Sequence, residues 1–289
     1  MATAAPSPLG PQPLAPAALA PPPTAPPIVL IHGMWSTPAT FTGLRRRLEA
    51  AGYTTHAPCL PFHDRDPALP PPPELGTLGL EDYIAFLCAE IAALPGPVIV
   101  AGHSMGGFLA QAVAARVGAA GLMLFAPAAT ATTNAPSLDP VRTLFGVVTK
   151  NRWWRSPTLI DAARARRGIY NEVPDDIASS EIAGHVWDSG RVLIEMALPF
   201  AAHAPAFTVD HARLTMPALV VVGALDRITP AAIARATARK LANVDYHELQ
   251  YTGHWLWWGA AEDHVAAIVG EWLSVHFPPP DWDAGLLTG

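Results

Sequence analysis

Charge and cysteine are both scarce in this sequence. Charged side chains make up only 15% of the 289 residues, and the formal net charge is −6. The chain therefore lacks the strong positive field that general nucleic-acid binding requires. Cys59 and Cys88 are the only cysteines and form no C-x-x-C pair, which argues against a disulfide framework and a thiolate zinc site. Two isolated thiols suit a reducing cytoplasm.

Long apolar runs and a recognisable secretion signal are missing as well. No apolar run approaches the roughly 20 residues that span a bilayer, so we expect no transmembrane segment. The start of the chain has no Lys or Arg, and prolines interrupt its apolar stretches, unlike the charged-then-apolar pattern of a secretory signal. We therefore expect a cytoplasmic protein rather than a secreted one.

Proline, in contrast, is abundant, and its distribution separates a leader from the body. Ten of the 32 prolines precede Ile28. The range 1–27 has no charged side chain and no periodic apolar pattern, so it cannot bury enough surface to offset its ordering entropy. We predict a disordered proline-rich leader over 1–27 and a C-terminal tail over 278–289. With 51% apolar residues, the chain has ample material for a globular core between them.

The body alternates between short apolar strands and amphipathic helices. Continuous β-branched runs bounded by Gly and Pro are typical of strands buried on both faces. Helices between such strands imply right-handed crossovers and a parallel sheet. We therefore predict an α/β fold with a mainly parallel sheet of about six strands and helices on both faces. The predicted strands are Ile28–Ile31, Tyr53–Leu60, Val98–Ala101, Leu122–Phe125, Ala218–Gly223 and Val244–Leu249.

The alternation stops between the fourth and fifth predicted strands. Short helical patterns replace it over 128–211, and this stretch carries Trp153, Trp154 and Trp187. We predict a helical cap over 128–211, inserted into a core formed by 28–127 and 212–277. Thr37-Pro38 and Thr229-Pro230 each combine a capping hydroxyl with a proline, a pattern that predicts helix starts in the core.

A G-x-S-x-G motif stands between the third predicted strand and a helix. Gly102, His103, Ser104, Met105 and Gly106 form it. The motif alone is a weak signal, but a strand-to-helix context is what a nucleophile elbow requires. So sharp a turn strains the backbone of the serine, and side chains next to it would clash, which glycines at positions 102 and 106 avoid. We interpret Ser104 as a nucleophile; the alternative is a glycine-rich turn with an idle serine.

A serine nucleophile needs a base and an acid later in the chain. His254 directly follows the last strand, and we predict that it is the base. Asp226 lies just beyond the fifth strand, and we predict that it orients the histidine, although a turn aspartate that bonds its own backbone is the alternative. We interpret His32 and His103, each beside a glycine in a tight turn, as structural.

Catalysis through an acyl-enzyme also needs backbone donors for an oxyanion. The amide of Met105 follows the nucleophile directly. The second donor is predicted to be the amide of Met34, in the turn after the first strand. A plain strand-exit turn is the alternative for this segment.

Together these motifs resemble the α/β-hydrolase superfamily, in its serine-nucleophile esterase and lipase-like branch. The order Ser104, Asp226, His254 is the order of that fold. Family members often have two further strands before the His-Gly strand, which the proline-rich leader replaces here, so we expect a sheet shortened to six strands. The resemblance implies no cofactor and no metal, and G-x-G-x-x-G and H-E-x-x-H motifs are absent. The matching segments are 31–35, 102–107, 223–226 and 253–254.

Large apolar residues near these motifs suggest the kind of substrate. A cluster of tryptophans around a catalytic loop favours an apolar or aromatic ligand, and core packing is the alternative for some of them. The six positive charges between Lys150 and Arg167 fit a solvated face, or else an anchor for a substrate carboxylate. The predicted substrate-binding residues are Trp35, Trp153, Trp154, Trp187, Trp255 and Trp257.

We therefore predict a carboxylic-ester hydrolase that acts on a small molecule. A lactonase, a thioesterase and a carbon–carbon bond hydrolase could use the same residues, and fold alone does not choose among them. A ligand-binding protein that has kept the pocket without catalysis is a more distant alternative. Turnover of an activated ester distinguishes the enzymes from the binding protein.

Overall fold

A central parallel sheet organises the chain. The structure, a computed structural model, describes residues 25–135, 137–197 and 205–278, so most of the predicted leader and tail lie outside the described residues. Six strands form one sheet. Two further strands, which follow the fourth strand along the chain, form a separate two-stranded antiparallel sheet. The strands are β1 (Ile28–Ile31), β2 (Thr55–His56), β3 (Ile99–His103), β4 (Gly121–Phe125), β5 (Pro157–Thr158), β6 (Asp188–Ser189), β7 (Pro217–Gly223) and β8 (Asn243–Leu249).

The predicted fold class is confirmed, and every pairing in the six-stranded sheet is parallel. The strand order is β2-β1-β3-β4-β7-β8. The chain therefore moves outward from β1 to β2, then returns past β1 to β3 and continues in the other direction. Ligands of open parallel sheets bind at such a reversal, beyond the carboxyl ends of the strands. The ends of β1 and β3 meet there.

The helices of the described residues follow from these crossovers. Because right-handed connections that run in opposite directions place their helices on opposite faces, α1 lies across the sheet from α2, α3 and α8. The packing agrees, since α1 contacts α9 while α2 contacts α3. The helices are α1 (Thr42–Ala50), α2 (Leu80–Ala92), α3 (Met105–Val117), α4 (Leu138–Val148), α5 (Ala162–Gly168), α6 (Asp175–Ala183), α7 (Gly190–Ala197), α8 (Ala231–Ala238) and α9 (Gly259–His276).

Buried apolar runs explain the central strands. Every residue of β1, β3 and β4 is buried, whereas β8, at the edge of the sheet, is only partly covered. The second strand is much shorter than the predicted Tyr53–Leu60. The amide of Tyr53 still bonds to Leu48 of α1 (3.0 Å), and the amide of Leu60 already bonds to the His32 ring (3.2 Å). Only two residues in between pair with β1.

The two predicted helix caps differ in outcome. Thr37 does cap a short 3₁₀ helix, Pro38–Phe41, by accepting a hydrogen bond from the amide of Ala39. Thr229 does not cap α8, because the residue before that helix is Pro230 and no side chain caps it. The hydroxyl of Thr229 is engaged elsewhere.

The segment between β4 and β7, which we call the insert (residues 128–211), contains α4 to α7 in its described part. The short antiparallel pair of β5 and β6 is also part of the insert. The sequence pattern did not predict this pair, since two-residue strands carry no usable periodicity.

Candidate active site

Ser104 sits in a strained turn between β3 and α3. Its backbone angles are φ 58° and ψ −121°, a positive φ that non-glycine residues seldom adopt and that costs roughly 1–3 kcal/mol. Hydrogen bonds hold the turn: the Ser104 amide donates to Phe125 (3.0 Å), and its carbonyl accepts from Ala128 (2.9 Å). The serine is therefore fixed at the carboxyl end of β3, as the predicted elbow requires.

Two glycines make the sharp turn possible. A Cβ at position 102 would lie 2.0 Å from the carbonyl oxygen of Gly106. A Cβ at position 106 would lie 2.0 Å from the carbonyl oxygen of Ile31. Backbone cannot yield by that much, so helix α3 can approach β1 and β3 only with glycine at both positions.

His254 and Asp226 form a buried pair next to the serine turn. Nδ1 of His254 lies 2.7 Å from Oδ2 of Asp226. The other carboxylate oxygen accepts hydrogen bonds from the amides of Ile228 (2.9 Å) and Thr229 (2.8 Å). Because Nδ1 faces a carboxylate, it carries the ring proton, and Nε2 is left to accept one.

Thr229 is a third member of this arrangement. Its hydroxyl lies 2.9 Å from Oδ2 of Asp226, 2.9 Å from the carbonyl oxygen of Ala126 and 3.1 Å from Nδ1 of His254. The Thr-Pro pattern predicts a helix cap at this position, and the structure places the hydroxyl beside the carboxylate instead. Its position three residues after the acid, within reach of the same carboxylate, was the available signal.

His103 contacts His254 through a hydrogen bond and through its ring. Its Nε2 donates to the backbone carbonyl of His254 (3.0 Å), and the two ring centroids lie 4.7 Å apart. Burial, together with the nearby His254, holds the pKa of His103 well below its usual range. A neutral, hydrogen-bonded ring agrees with the structural role predicted for it.

The insert also contacts the loops that carry the acid and the histidine. Nδ2 of Asn171 donates to the carbonyl of Leu225 (2.8 Å), the residue before Asp226. The Asn171 side chain also packs closely against Gly253, because a Cβ at position 253 would lie only 2.8 Å from its amide atoms. The Leu225 amide in turn donates to Thr252 (2.9 Å). The two loops are thus joined to each other and to the insert.

The turn after β1 packs directly against the serine. A Cβ at Gly33 would lie 3.1 Å from Cβ of Ser104. Next to it, His32 is fully buried, with Nδ1 donating to Gly33 (3.0 Å) and Nε2 accepting from Leu60 (3.2 Å). Burial and the neighbouring His63 lower the pKa of His32 to about 3, so the ring is neutral and fixes the turn.

The two predicted oxyanion donors both lie at the cavity that contains the serine. Met34 and Met105 line the same cavity as Ser104 and His254. Within the described residues, neither amide takes part in a backbone hydrogen bond. The two N–H groups come from the ends of adjacent strands, which suits a shared acceptor.

The cavity at this edge of the sheet measures about 450 Å³. The core contributes the serine, the histidine and the β1 turn, and the insert contributes apolar side chains from α4 and α7. Two polar insert residues, Tyr170 and His185, share a 2.8 Å hydrogen bond in its wall. The apolar insert residues at the cavity are Ala128, Ala129, Ala135, Pro140, Val141, Leu144, Val148, Trp153, Ile169, Leu193, Met196 and Ala197.

Three of the six predicted substrate-binding tryptophans lie at the cavity: Trp35, Trp153 and Trp255. Trp154, Trp187 and Trp257, which are also predicted to bind substrate, are not among the lining residues. Trp154 is 40% exposed and packs edge-on against Trp153.

The other two tryptophans outside the cavity lining, Trp257 and Trp187, differ in their packing. Trp257 packs between Phe41 and Phe125 in the core. Trp187 is half-buried, and its indole N–H is enclosed without a partner in the described part of the chain.

The positive charges of the insert do not reach the cavity. None of the six Lys and Arg residues of 150–167 lines it, and several pair with nearby acids, for example Arg166 with Asp175 at 2.7 Å. The solvated-face interpretation fits this placement. Within the described ranges, no cluster of three His, Cys, Asp or Glu side chains could hold a metal ion, and no helix is long and apolar enough to cross a membrane.

Comparison with known proteins places the fold among hydrolases. A family model described as the alpha/beta hydrolase family matches residues 28–269. Similar solved structures include a monoacylglycerol lipase from Paleococcus ferrophilus (22% identity, TM-score 0.57, 88% of this chain and 97% of that chain). A pyrethroid hydrolase from Sphingobium faniae is 19% identical (TM-score 0.60, 86% and 98%). An esterase from Thermogutta terrifontis is 22% identical (TM-score 0.59, 88% and 91%). No curated protein matches the chain in sequence.

Proposed function

The chain belongs to the alpha/beta hydrolase family, and we propose that it hydrolyses carboxylic esters of uncharged, apolar or aromatic small molecules through an acyl-enzyme. The observation that carries this proposal is the 2.7 Å contact between His254 and Asp226, because His254 lines the same cavity as the strained Ser104. The neighbouring lipase and esterase structures support the reaction class without identifying the substrate.

The proposed reaction has two halves. In the first, Oγ of Ser104 attacks the ester carbonyl while Nε2 of His254 takes the hydroxyl proton. The carbonyl oxygen becomes an oxyanion, which the amides of Met34 and Met105 stabilise. As the carbonyl re-forms, the bond to the alcohol oxygen breaks, and His254 returns its proton to that oxygen. The alcohol leaves, and the acyl group stays on Ser104.

In the second half, water replaces the alcohol. Nε2 of His254 takes a proton from the water as its oxygen attacks the acyl carbon, and the same amides hold the new oxyanion. Collapse of this intermediate breaks the bond to Oγ of Ser104, which recovers the proton from His254. Asp226 accepts the Nδ1–H bond throughout and stabilises the imidazolium that forms in each half.

The lining of the cavity argues for an uncharged substrate. No Asp, Glu, Lys or Arg is found among the described residues that line it, and a charged group would lose its hydration there without compensation. We also propose that the insert acts as a cap, because its apolar side chains cover the carboxyl ends of β1 and β3.

A substrate panel tests the proposed function. p-Nitrophenyl esters of increasing acyl length, aromatic esters, lactones and thioesters are offered to the wild type and to Ser104→Ala. We expect hydrolysis of uncharged esters by the wild type, loss of that hydrolysis in the variant, and poor turnover of esters that carry a free carboxylate. Preference for lactones or thioesters, or no turnover by the wild type, would contradict the proposal.

A further inference from the structure

A carboxylate of the insert reaches the turn that follows β1. Asp188, on β6, is completely buried. Its Oδ2 accepts a hydrogen bond from the backbone N–H of Trp35 (3.0 Å). Its Oδ1 accepts from the hydroxyl of Tyr83 (2.9 Å) and from the amide of Ser189 (2.6 Å). A buried carboxylate is costly unless it is compensated on all sides, and these donors come from three separate segments of the chain.

A histidine supplies the matching charge. Nε2 of His63 lies 3.1 Å from Oδ2 of Asp188, an ion-pair contact rather than an aligned hydrogen bond. Its Nδ1 lies 3.1 Å from the carbonyl oxygen of Pro61. Both ring nitrogens therefore face acceptor oxygens, an arrangement that favours the doubly protonated, charged ring. Burial opposes this charge, but the carboxylate of Asp188 outweighs burial and raises the pKa of His63 overall.

Trp35 is held by the insert at every polar group. Besides the amide bound by Asp188, its carbonyl accepts from the amide of Val186 (3.0 Å), and its indole N–H donates to the hydroxyl of Thr158 (3.3 Å). The backbone of Trp35 has a φ of 59°, a conformation that persists only when the surroundings impose it. All three contacts come from β5, β6 and the residues just before β6.

The residue before Trp35 is Met34, the proposed oxyanion donor. Asp188 binds the peptide unit between the two residues, so it fixes the direction in which the turn leaves β1. We propose that Asp188 is a positioning residue for the oxyanion hole, which through Trp35 holds the Met34 amide where charge develops on the substrate. The inference rests on the proposed ester hydrolysis, and it makes the catalytic geometry depend on the seating of the insert.

Asp188→Asn tests the inference through two measurements. Asparagine keeps one acceptor but loses the charge and turns an N–H₂ group towards a backbone donor. Removing an oxyanion donor costs about 10²–10³ in kcat, and displacing one costs less. We expect kcat to fall by about 10- to 100-fold with little change in KM. We expect the affinity for a trifluoromethyl ketone, which forms an anionic adduct with serine, to fall by a similar factor.

A matched control separates positioning from general stability. Glu195 is another buried carboxylate of the insert; it accepts hydrogen bonds from the amide of Leu80 (2.7 Å) and from Arg191 (2.6 Å), and it is not itself among the residues that line the cavity. Glu195→Gln should lower the melting temperature while leaving kcat and inhibitor affinity unchanged. Tyr83→Phe, which removes one hydrogen bond from Asp188 and keeps the shape, should act like Asp188→Asn more weakly, and it provides the test if Asp188→Asn fails to fold.

The outcomes distinguish this inference from the proposed function. Ester turnover and inhibitor binding by the wild type test the function itself. With an active wild type, a folded Asp188→Asn or Tyr83→Phe protein that keeps both kcat and inhibitor affinity would overturn the positioning role. An equal loss in Glu195→Gln would overturn it as well, because the effect would then be one of insert stability.

Discussion

The hydroxyl of Thr229 lies 3.1 Å from Nδ1 of His254, the ring nitrogen that also contacts Asp226. The same hydroxyl is 2.9 Å from the carboxylate of Asp226. One threonine therefore fixes the acid and the histidine relative to each other. Its backbone amide binds the second carboxylate oxygen, so its contribution combines main-chain and side-chain contacts.

Thr229→Val should weaken catalysis without unfolding the protein. Valine has the same shape but cannot hydrogen-bond, and a bond to a charged group contributes about 1.5–3 kcal/mol. We expect kcat to fall by roughly 10- to 100-fold in steady-state assays with an activated ester. Thr237→Val is the control, because Thr237 is also buried, on α8, and its hydroxyl has no partner among the described residues. Equal kcat values in the two variants would argue against this role.

Asp226→Asn should be far more damaging. The amide cannot stabilise the imidazolium and favours the wrong tautomer of His254, so kcat should fall by up to about 10⁴ with binding largely retained. Steady-state kinetics measure the loss. Asp245, a carboxylate exposed on β8, provides the control, since Asp245→Asn should keep full activity. Near-normal turnover by Asp226→Asn would mean that another carboxylate serves the histidine.

The paired tryptophans of the insert should differ in their effect on specificity. Trp153 lines the cavity, whereas Trp154, in contact with it, is outside the lining and 40% exposed. Trp153→Ala should shift the preference between short and long acyl esters by about 10- to 200-fold, or roughly 1–3 kcal/mol. Trp154→Ala should leave that preference unchanged. Equal shifts in the two variants would show that packing within the insert, and not the cavity wall, sets the preference.

The pair of His63 and Asp188 should make stability depend on pH. Burial disfavours the charged form of both groups, but the opposite charge of the partner has the larger effect. The pKa of His63 is therefore raised and that of Asp188 is lowered. The other titratable groups around the pair are His32, neutral with a pKa of about 3, and Tyr83, whose pKa burial raises well above its usual range. Neither changes charge between pH 4 and pH 9.

The sign of the effect follows from linkage. The contribution of His63 is fully present below its unfolded pKa of about 6.5 and is lost as the pH rises through its raised folded pKa. The contribution of Asp188 is present above its unfolded pKa of about 3.9 and is lost in acid. The difference in unfolding free energy between the wild type and His63→Gln, measured by denaturant titration, should be largest between about pH 4 and pH 6.5 and shrink above that range. A difference that grows with alkaline pH would contradict the ion pair.

Much of the fold could be predicted because apolar runs mark strands directly. Five of the six predicted core strands agree with the structure to within a residue or two, and the elbow around Ser104 follows from its flanking glycines. The strand predicted over Tyr53–Leu60 is two residues long, because its pairing length is set by a partner strand and by a histidine elsewhere in the chain. Local sequence contains neither constraint.

The side chains that contact the predicted triad and the turn after β1 cannot be predicted from local sequence patterns. Asp188 stands between a tryptophan and a serine in no recognisable motif, and only the tertiary fold brings it to Trp35, 153 positions away. Thr229 has the sequence pattern of a helix cap, but the adjacent carboxylate binds its hydroxyl instead. Trp255 lines the cavity whereas Trp257 packs in the core. Hydrophobicity predicts that both are buried, but it does not predict which neighbours they contact.

Active-site labelling tests the nucleophile most directly. A fluorophosphonate probe reacts with a serine that a neighbouring base activates, and peptide mapping by mass spectrometry locates the adduct. The wild type should be labelled at Ser104, and Ser104→Ala should fold normally, take up no label and lose at least about 10³-fold in kcat. Labelling that persists at another residue in Ser104→Ala, together with retained ester turnover, would contradict the assignment of Ser104 as the nucleophile.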